Sequence, residues 1–465
     1  MKLIINLLTL LLSFSALAGN KIKVYFNHPV NTSVSSGVDA AYISGSSSAD
    51  TICAYIKRAK HTIDIAQFEY VQDATRGPYT SIADAIDSAY AHGITVRWIY
   101  DSTITNNGML GLNPAIPTLP RTDNLGIMHN KFIIIDANSS NADDAIVWTG
   151  SYDWNSAMMY GDYNNMVFLQ DAPLAQAYTA EFNMMWGSST ATPNAAAAKF
   201  GADKTDLGAH LFHIDGHLVE LYFSPSDGTD SRIQSAISSA NTDLYFGVYT
   251  FTQSTEANLI VAKYNSGVYA SGINDNFSNS YSPYDILTAG LGTHFKVYSG
   301  AGVYHAKTLI VDPSDTCSDP LVLTGSHNWT FSANSKNDEN TIIIHSDTIA
   351  NMFYQSFYQD FISLGGSLQP VAGCGLAGVD KIVENNTTIF PNPCNGSVMI
   401  SLQLMTPQQV TINISNVLGQ DVQTISSMEQ SGAHRYDLEL STPGMYFFKF
   451  TIGAEHFAKK VIVVE

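Results

Sequence analysis

Basic residues are scarce in this chain of 465 residues, which has 22 Lys and Arg against 41 Asp and Glu and a formal net charge of −19. Nucleic-acid binding draws on clustered Lys and Arg, so this charge does not favour a nucleic-acid-binding body, although a small basic pocket is compatible with it. Cysteine is also rare, and the spacing of the four residues indicates neither a disulfide pair nor a metal cluster. An apolar content of 45% excludes wholesale disorder.

A long apolar run occurs only at the amino terminus. It extends from Leu3 to Leu17 behind the basic Lys2, and Ala16-Leu17-Ala18 has the A-x-A pattern of a cleavage signal. This pattern predicts a secretory signal peptide over residues 1–18, because the run is short for a membrane span of about 20 residues. We therefore expect an exported protein with no transmembrane segment in its mature form.

The remaining chain repeats one pattern of polar residues. "MHNKFIIIDA" and "YHAKTLIVDP" share the order H-x-K-x4-D at an offset of 176 residues. The two sets are His129, Lys131 and Asp136, then His305, Lys307 and Asp312. Helical and β-rich segments around them recur in the same order, and each half ends with a helix rich in aromatic residues. The sequence predicts two homologous α/β halves, 19–190 and 215–365, joined by a linker over 191–214.

The residue pattern changes after these two halves. Residues 366–387 form a Gly-rich connector, and short alternating strands separated by turn residues follow over 388–465. This pattern predicts a small C-terminal all-β sandwich.

The His and Lys of each set are two residues apart in a strand-like run, so both side chains should face the same side. Burying these two cations together is costly unless an anion lies between them. A phosphate would satisfy both, since Lys supplies a point charge and imidazole can attack phosphorus or transfer a proton. Two halves packed face to face would place one His on each side of a phosphodiester. The Asp, at the end of the run, is expected to hold a turn.

These doubled motifs resemble those of the phospholipase D superfamily, whose mark is a repeated H-x-K-x4-D followed by a G-S-x-N turn. The resemblance spans residues 20–365. It implies two α/β sandwich halves with one active site, and phosphodiester chemistry through a phosphohistidine without a metal or another cofactor. It also implies that His129 is the nucleophile and His305 the general acid, while Lys131 and Lys307 bind the phosphate.

The G-S-x-N turn is complete in the second half and altered in the first. Gly325, Ser326 and Asn328 match it, as do Gly150 and Ser151, but Asp153 stands where Asn is expected. An acid there would repel phosphate, so Asn155 or Asn165 could replace it. The resemblance also implies an acid eleven residues past the turn Asn, bonded to the opposite His. That position is Glu339 in the second half and the neutral Asn164 in the first.

The C-terminal part resembles the sorting domain of the type IX secretion system. The matching segments are Pro391-Asn392-Pro393, Leu418-Gly419-Gln420, Gly444-Met445-Tyr446 and the closing "KKVIVV". The resemblance implies that the type IX secretion machinery is a partner and that the chain is secreted or held at the cell surface.

The sequence thus predicts an exported phosphodiesterase. The acidic body makes phospholipid the first expected substrate and nucleic acid, cut by a secreted endonuclease, the alternative. A surface binding protein without catalysis is the third interpretation, because of Asp153. An apolar rim around the site would favour lipid, and a basic groove would favour nucleic acid. His210, His213 and His217 lack supporting Cys or paired acids in sequence, so no metal site is predicted.

Overall fold

The computed structural model describes residues 20–71, 80–315, 317–368 and, with gaps at 393, 405–406, 418–419 and 454, residues 387–464. The chain forms two compact units, Met1–Cys374 and Gly375–Glu465. The predicted signal peptide and most of the predicted connector over 366–387 lie outside the described residues. No described helix is both long enough and apolar enough to span a membrane.

The described residues of the first half form eight strands and four α-helices. Its strands are β1 (Ile22–Phe26), β2 (Ala41–Tyr42), β3 (Thr62–Gln67), β4 (Thr95–Asp101), β5 (Thr118–Arg121), β6 (Lys131–Ile135), β7 (Ile146–Gly150) and β8 (Asn165–Leu169). Its helices are α1 (Gly45–Ile56), α2 (Thr80–Ala91), α3 (Ser156–Tyr160) and α4 (Ala172–Trp186).

In the second half, the part of the chain that the structure describes forms eight strands and five α-helices. Its strands are β9 (Leu211–Ile214), β10 (His217–Ser224), β11 (Asp243–Val248), β12 (Tyr269–Asp275), β13 (Phe295–Tyr298), β14 (Lys307–Val311), β15 (Leu321–Gly325) and β16 (Glu339–His345). Its helices are α5 (Thr229–Ser239), α6 (Ser254–Asn265), α7 (Ser282–Leu291), α8 (Phe331–Ser335) and α9 (Asp347–Ser363).

The two halves share one sheet topology, as the repeat predicts. The first sheet has the order β2-β1-β8-β7-β6-β3-β4-β5, and the second has β13-β12-β11-β14-β15-β16-β10-β9. Without the edge strands β2 and β9, the order β1-β8-β7-β6-β3-β4-β5 of the first sheet corresponds strand by strand to β10-β16-β15-β14-β11-β12-β13 of the second. Both sheets are mixed. In the first, β3, β4 and β5 pair in parallel while β6 pairs antiparallel to β3 and β7, and in the second, β11, β12 and β13 pair in parallel while β14 pairs antiparallel to β11 and β15. The prediction of two homologous α/β halves is confirmed.

Three apolar clusters define the layers of the first unit. The central cluster combines residues of both sheets with α4 and α9. A second cluster joins α1 and α2 to the outer face of the first sheet, and a third joins α5, α6 and α7 to the outer face of the second. The two sheets therefore face each other across α4 and α9. This arrangement brings β6 and β14 toward a common interface.

The segment predicted as the linker between the halves carries a buried ion cluster. Lys204 is 5% exposed, and its Nζ lies 2.6 Å from Glu181 Oε1 and 3.1 Å from Asp338 Oδ1. Asp338 also accepts a hydrogen bond from Arg121 at 2.8 Å. The segment therefore ties α4 to the residue that precedes Glu339 in the second half.

The C-terminal unit is all-β. Its strands are β17 (Thr388–Phe390), β18 (Ser397–Leu404), β19 (Gln408–Asn416), β20 (Asp421–Glu429), β21 (Gly432–Glu439), β22 (Gly444–Ile452) and β23 (Glu455–Val463). They form a three-stranded sheet, β17-β18-β21, and a four-stranded sheet, β20-β19-β22-β23, around one apolar cluster. Asn392 of the Pro-Asn-Pro segment donates to Lys460 O at 2.7 Å and accepts from Ile462 N at 2.9 Å. This amide ties the Pro-Asn-Pro segment to the closing strand. The predicted all-β C-terminal part is confirmed.

Candidate active site

The His-Lys pairs lie where the central strands of both sheets begin. Lys131 opens β6 and pairs with Gln67 of β3, while Lys307 opens β14 and pairs with Val248 of β11. His129 and His305 are 6% and 3% exposed, and neither lysine is exposed to solvent. The strands are buried on both faces, so these side chains are the polar groups that an otherwise apolar run brings to the interface.

The aspartates of the two motifs bind backbone amides away from the histidines. Asp136 accepts hydrogen bonds from the backbone N–H groups of residues 60–62 at 2.7–2.8 Å. Asp312 accepts from those of residues 241–243 at 2.9 Å in the same way. Both residues have positive φ, 52° and 47°, which Asp tolerates better than most residues. The two aspartates therefore hold the turns that precede β3 and β11.

The glycines of the two "TGS" turns allow a close approach between strands. Gly150 and Gly325 have φ of 145° and 144°. A Cβ atom would lie 2.3 Å from Asn165 O at Gly150 and 2.2 Å from Asn340 O at Gly325. A side chain at either position would therefore push apart β7 and β8, which begins directly after Asn164, or β15 and β16, which begins with Glu339.

Each histidine is held by a residue of the opposite half. His129 Nδ1 lies 2.7 Å from Glu339 Oε2, and His305 Nδ1 lies 2.9 Å from Asn164 Oδ1. Ser326 Oγ donates to the same Glu339 oxygen at 2.7 Å, while Ser151 Oγ donates to Asn164 Oδ1 at 2.8 Å. The site is therefore built from both halves, with a carboxylate on one histidine and a neutral amide on the other.

The two lysines also differ in whether a carboxylate contacts them. Lys131 Nζ lies 3.1 Å from Asp153 Oδ1, which also accepts a hydrogen bond from Gln67 at 3.2 Å. Lys307 Nζ donates to the backbone oxygen of His305 at 2.6 Å and has no carboxylate within ion-pair distance in the described part of the chain. Asp153 therefore pairs with Lys131, one of the two lysines that the resemblance assigns to phosphate.

The other predicted phosphate-binding asparagines are placed differently. Asn155 caps α3 by accepting from Met158 N at 2.9 Å and donates to Glu69. Asn165 accepts from Thr324 Oγ1 of the second half at 2.8 Å, so its amide crosses the interface between the sheets. Asn328 Oδ1 is buried without a hydrogen-bond partner among the described residues. Among the described residues, the oxygens of Asn155 and Asn165 therefore each accept a hydrogen bond, and that of Asn328 accepts none.

Two aromatic residues complete the surroundings of the pairs. The Nζ atoms of Lys131 and Lys307 lie 4.8 Å and 5.2 Å from the ring centroids of Phe68 and Tyr249. The same rings contact His129 and His305, at centroid distances of 4.7 Å and 5.2 Å. Sequence reasoning missed both residues, although each directly follows the strand that pairs with a His-Lys strand. That shared position in the repeat is the signal that could have found them.

An aromatic strip leads outward from His305. Tyr249 stacks on Phe277 at a centroid distance of 5.6 Å, and Phe277 contacts Tyr281 at 6.4 Å. Phe277 is 53% and Tyr281 39% exposed. Apolar surface therefore continues from the histidine to the solvent on the second-half side of the site.

The pKa shifts follow the different partners. Burial acts to raise the pKa of Glu339, but the His129 ring and its hydrogen bond outweigh burial and lower that pKa to about 2. Burial, reinforced by the charges of Lys307 and Lys131, holds the pKa of His305 well below its ordinary value. Burial and the charge of Lys131 likewise lower the pKa of Lys307. Glu339 is therefore a fixed carboxylate, and His305 is a ring that gives up a proton readily.

A separate group of possible metal ligands lies away from the histidine pairs. The ligand atoms of Asp206, His210 and Asp227 lie within 4.8 Å of one another. His210 Nε2 lies 3.0 Å from Asp206 Oδ1, while its Nδ1 lies 2.8 Å from Leu221 O. The structure therefore places two acids beside His210, the nearby Asp206 and the more distant Asp227, and neither His213 nor His217 belongs to this group.

Comparison with protein families gives two matches. The description "Cardiolipin synthase, PLD-like domain" matches residues 52–186 and 233–361, and "Secretion system C-terminal sorting domain" matches residues 388–464. The first match covers more than half of the chain. The chain therefore belongs to this cardiolipin synthase, PLD-like family, within the phospholipase D superfamily of phosphodiesterase-type enzymes. The second match confirms the predicted sorting domain and indicates a secreted or cell-surface protein.

Individual relatives agree with the family. The chain is 29% identical over 152 residues to the mitochondrial cardiolipin hydrolase of Drosophila melanogaster, covering 28% of this chain and 55% of that protein. It is also 29% identical over 132 residues to that of Xenopus tropicalis, covering 28% and 56%. The chain thus spans about half the length of the curated relatives it matches. The phosphatidylserine synthase of Haemophilus influenzae has the same fold, with a TM-score of 0.51 and 14% identity over 73% of this chain and 85% of that one.

Proposed function

We propose that the protein is an exported, metal-independent phosphodiesterase that hydrolyses phospholipids or transfers their phosphatidyl group through a phosphohistidine. The observation that carries the proposal is the pair of contacts between the halves, His129 to Glu339 and His305 to Asn164. Both contacts use Nδ1, so the Nε2 atom of each ring is the nitrogen available to a substrate. Displacement at phosphorus needs a nucleophile and a proton donor, and duplication supplies two such rings.

The unequal partners assign the roles. Glu339 fixes the tautomer of His129 and stabilises the positive charge that develops as Nε2 attacks phosphorus and the P–O bond to the leaving group breaks. A bound anionic phosphate offsets the Lys307 and Lys131 charges that help to lower the pKa of His305, so this ring can hold a proton in the complex and donate it to the leaving oxygen. In the second step His305 takes a proton from water, or from an alcohol in transfer, as the new P–O bond forms and the P–Nε2 bond breaks. Lys131 and Lys307 offset the charge on the phosphate oxygens.

Charge and apolar surface support a lipid rather than a nucleic acid. The charges of Glu69 and Asp162 act on Lys131 and Lys307, and Asp153 contacts Lys131 directly, so the surroundings of the pairs are acidic. A polyanion would meet repulsion there. The exposed aromatic strip of Phe277 and Tyr281 offers apolar surface next to His305. The cardiolipin hydrolases to which the chain is similar are also named for a phospholipid substrate.

Two segments, residues 1–18 and the sorting domain, support export of the protein from the cell. The apolar run over residues 1–18 would direct the chain to the periplasm, and the sorting domain would direct it across the outer membrane through the type IX secretion machinery.

Purified protein incubated with mixed phospholipids, plasmid DNA and RNA in the presence of a chelator tests the proposal. We expect release of phospholipid head groups, unaffected by the chelator. Faster cleavage of DNA or RNA than of lipid at low salt would replace the lipid substrate with nucleic acid. Loss of all activity on chelation would contradict the metal-independent chemistry.

A further inference from the structure

The two halves differ in where they place a carboxylate: at the residue that follows the "TGS" turn in the first half, and at the partner of the opposite histidine in the second. In the first half Asp153 follows the "TGS" turn and Asn164 holds the opposite histidine, whereas in the second half Asn328 follows the turn and Glu339 holds the histidine. Each half therefore contributes one carboxylate and one amide, in exchanged positions. Both carboxylates act on the first-half pair, since Glu339 contacts His129 and Asp153 contacts Lys131.

This exchange leaves a defined charge around the phosphate position. In the state that the proposed mechanism needs, His129 is neutral at Nε2 and His305 carries the proton that it will donate, so the carboxylate of Glu339 offsets that one positive charge in the sum. The two ammonium groups of Lys131 and Lys307 then face one carboxylate in direct contact, that of Asp153. The contact group therefore carries one net positive charge. Glu69 and Asp162 act on the same lysines from farther away and make the site still less favourable to a second negative charge.

We propose that Asp153 is a specificity-determining residue that restricts the site to singly charged phosphodiesters and excludes doubly charged phosphate monoesters. This inference rests on the proposed function, because it concerns the same site. An anion that contacts Lys131 Nζ lies at most about 6 Å from the Asp153 oxygen, because charge-assisted contacts are about 3 Å long. Each negative charge on the ligand meets this carboxylate, so a dianion meets about twice the repulsion that a diester meets. A product that is a phosphate monoester is then released more easily than it would be beside an asparagine.

The binding of two small probes to the full-length protein tests the proposal. Orthophosphate at about pH 8.5 is mainly a dianion, whereas dimethyl phosphate carries one charge. Titration calorimetry compares the wild type with Asp153→Asn, with Asn328→Asp and with Asp143→Asn, a control at an exposed acid that pairs with Lys21. Asp153→Asn preserves the shape of the side chain and removes its charge.

We expect Asp153→Asn to bind orthophosphate on the order of 10-fold more tightly, with a smaller gain for dimethyl phosphate. Asn328→Asp should weaken orthophosphate binding, and Asp143→Asn should leave both constants unchanged. Equal gains for both probes in Asp153→Asn, no gain for either, or no orthophosphate binding by any variant would overturn the proposal. Thermal unfolding shows whether each variant is folded. If Asp153→Asn does not fold, the orthophosphate affinity of Asn328→Asp decides between the outcomes.

Turnover of bis(p-nitrophenyl) phosphate by the wild type is measured in parallel. If the wild type does not cleave this diester but the orthophosphate constants change as expected, the proposed function fails and the role of Asp153 stands. If the wild type cleaves the diester and the constants do not change, the role of Asp153 fails and the proposed function stands.

Discussion

His129 Nδ1 and Glu339 Oε2 lie 2.7 Å apart, although the two residues belong to different halves of the chain. The corresponding contact of His305 is with the amide oxygen of Asn164 at 2.9 Å. A duplicated motif has therefore produced two histidines with unequal partners.

Glu339→Gln tests the carboxylate partner of His129. We expect a slower reaction even with a p-nitrophenyl ester, because the uncharged amide no longer stabilises the imidazolium that forms on attack. General acid–base assistance is typically worth about 10²–10⁴ in rate, and a positioning partner should account for the lower part of that range. Steady-state kinetics measure the effect, and unchanged kcat with the activated ester would contradict it.

The same substitution should change stability at low pH. The pKa of Glu339 is lowered to about 2 in the folded protein, below the ordinary value of about 4.3. A lowered pKa adds stability that is present above the unfolded value and lost as pH falls from about 4 to 2, on the order of 3 kcal/mol. Glu339→Gln should flatten the dependence of unfolding free energy on pH in that window. Parallel curves for wild type and variant between about pH 4.5 and 2 would contradict the assignment.

Asp243 should give the opposite pH dependence. Burial raises its pKa from 3.8 to about 7, an effect that Tyr245 partly offsets. The folded protein then holds a proton that the unfolded chain releases, so the stability falls as pH rises from about 4 to 7, by on the order of 4 kcal/mol. Asp243→Asn should remove this fall and be more stable than the wild type at about pH 8. Chemical denaturation across this range measures it, with Asp143→Asn as the surface control. A variant that loses stability at every pH to the same extent would refute it.

The two halves and the histidine pairs could be predicted because a repeat is visible in the sequence, in which a fixed offset relates His129 to His305. Glu339 could be predicted only through the family resemblance, which implies an acid eleven residues past Asn328. The contact of Asp153 with Lys131 and that of Asn165 with Thr324 could not be predicted, since they depend on how two sheets pack. Local pattern gives the face on which a residue lies, and packing decides its partner.

In the segment over 191–214, too, the partner of a buried side chain could not be predicted from local sequence. Its small and polar residues predicted a linker, yet Lys204 is buried between Glu181 and Asp338. The two acids lie 23 and 134 positions away in sequence, so no local pattern indicates that this lysine has partners.

Lys204→Met tests whether this segment supports the site. Removing one member of a buried ion pair leaves uncompensated charge and typically costs about 3–5 kcal/mol. We expect a loss of that size in unfolding free energy, together with lower activity, because Asp338 precedes Glu339. Lys199→Met, at an exposed lysine of the same segment, is the matched control and should be neutral. Equal stabilities of the two variants would contradict the structural role of Lys204.

Removal of the C-terminal unit tests its separate role. A chain ending at residue 385 should keep full phosphodiesterase activity in lysate, because every contact of the histidine pairs described above lies within residues 20–368. The same chain should stay in the periplasm of a host with type IX secretion. Cell fractionation measures both, and normal delivery of the shortened chain to the medium or surface would contradict the sorting role.

The central claim is that His129 carries the phosphoryl group and His305 supplies the proton. His129→Ala should abolish turnover of every substrate. His305→Ala should be slow with lipids, whereas a p-nitrophenyl phosphodiester, whose leaving group needs no proton, should restore the first step but not the second, which uses His305 as the base. The most direct measurement is mass spectrometry of acid-labile phosphate on peptides from His305→Ala quenched during turnover of such an ester. The account predicts a modified peptide that contains His129 and no modification in His129→Ala. Modification of His305 instead, or turnover without any phosphorylated histidine, would contradict it.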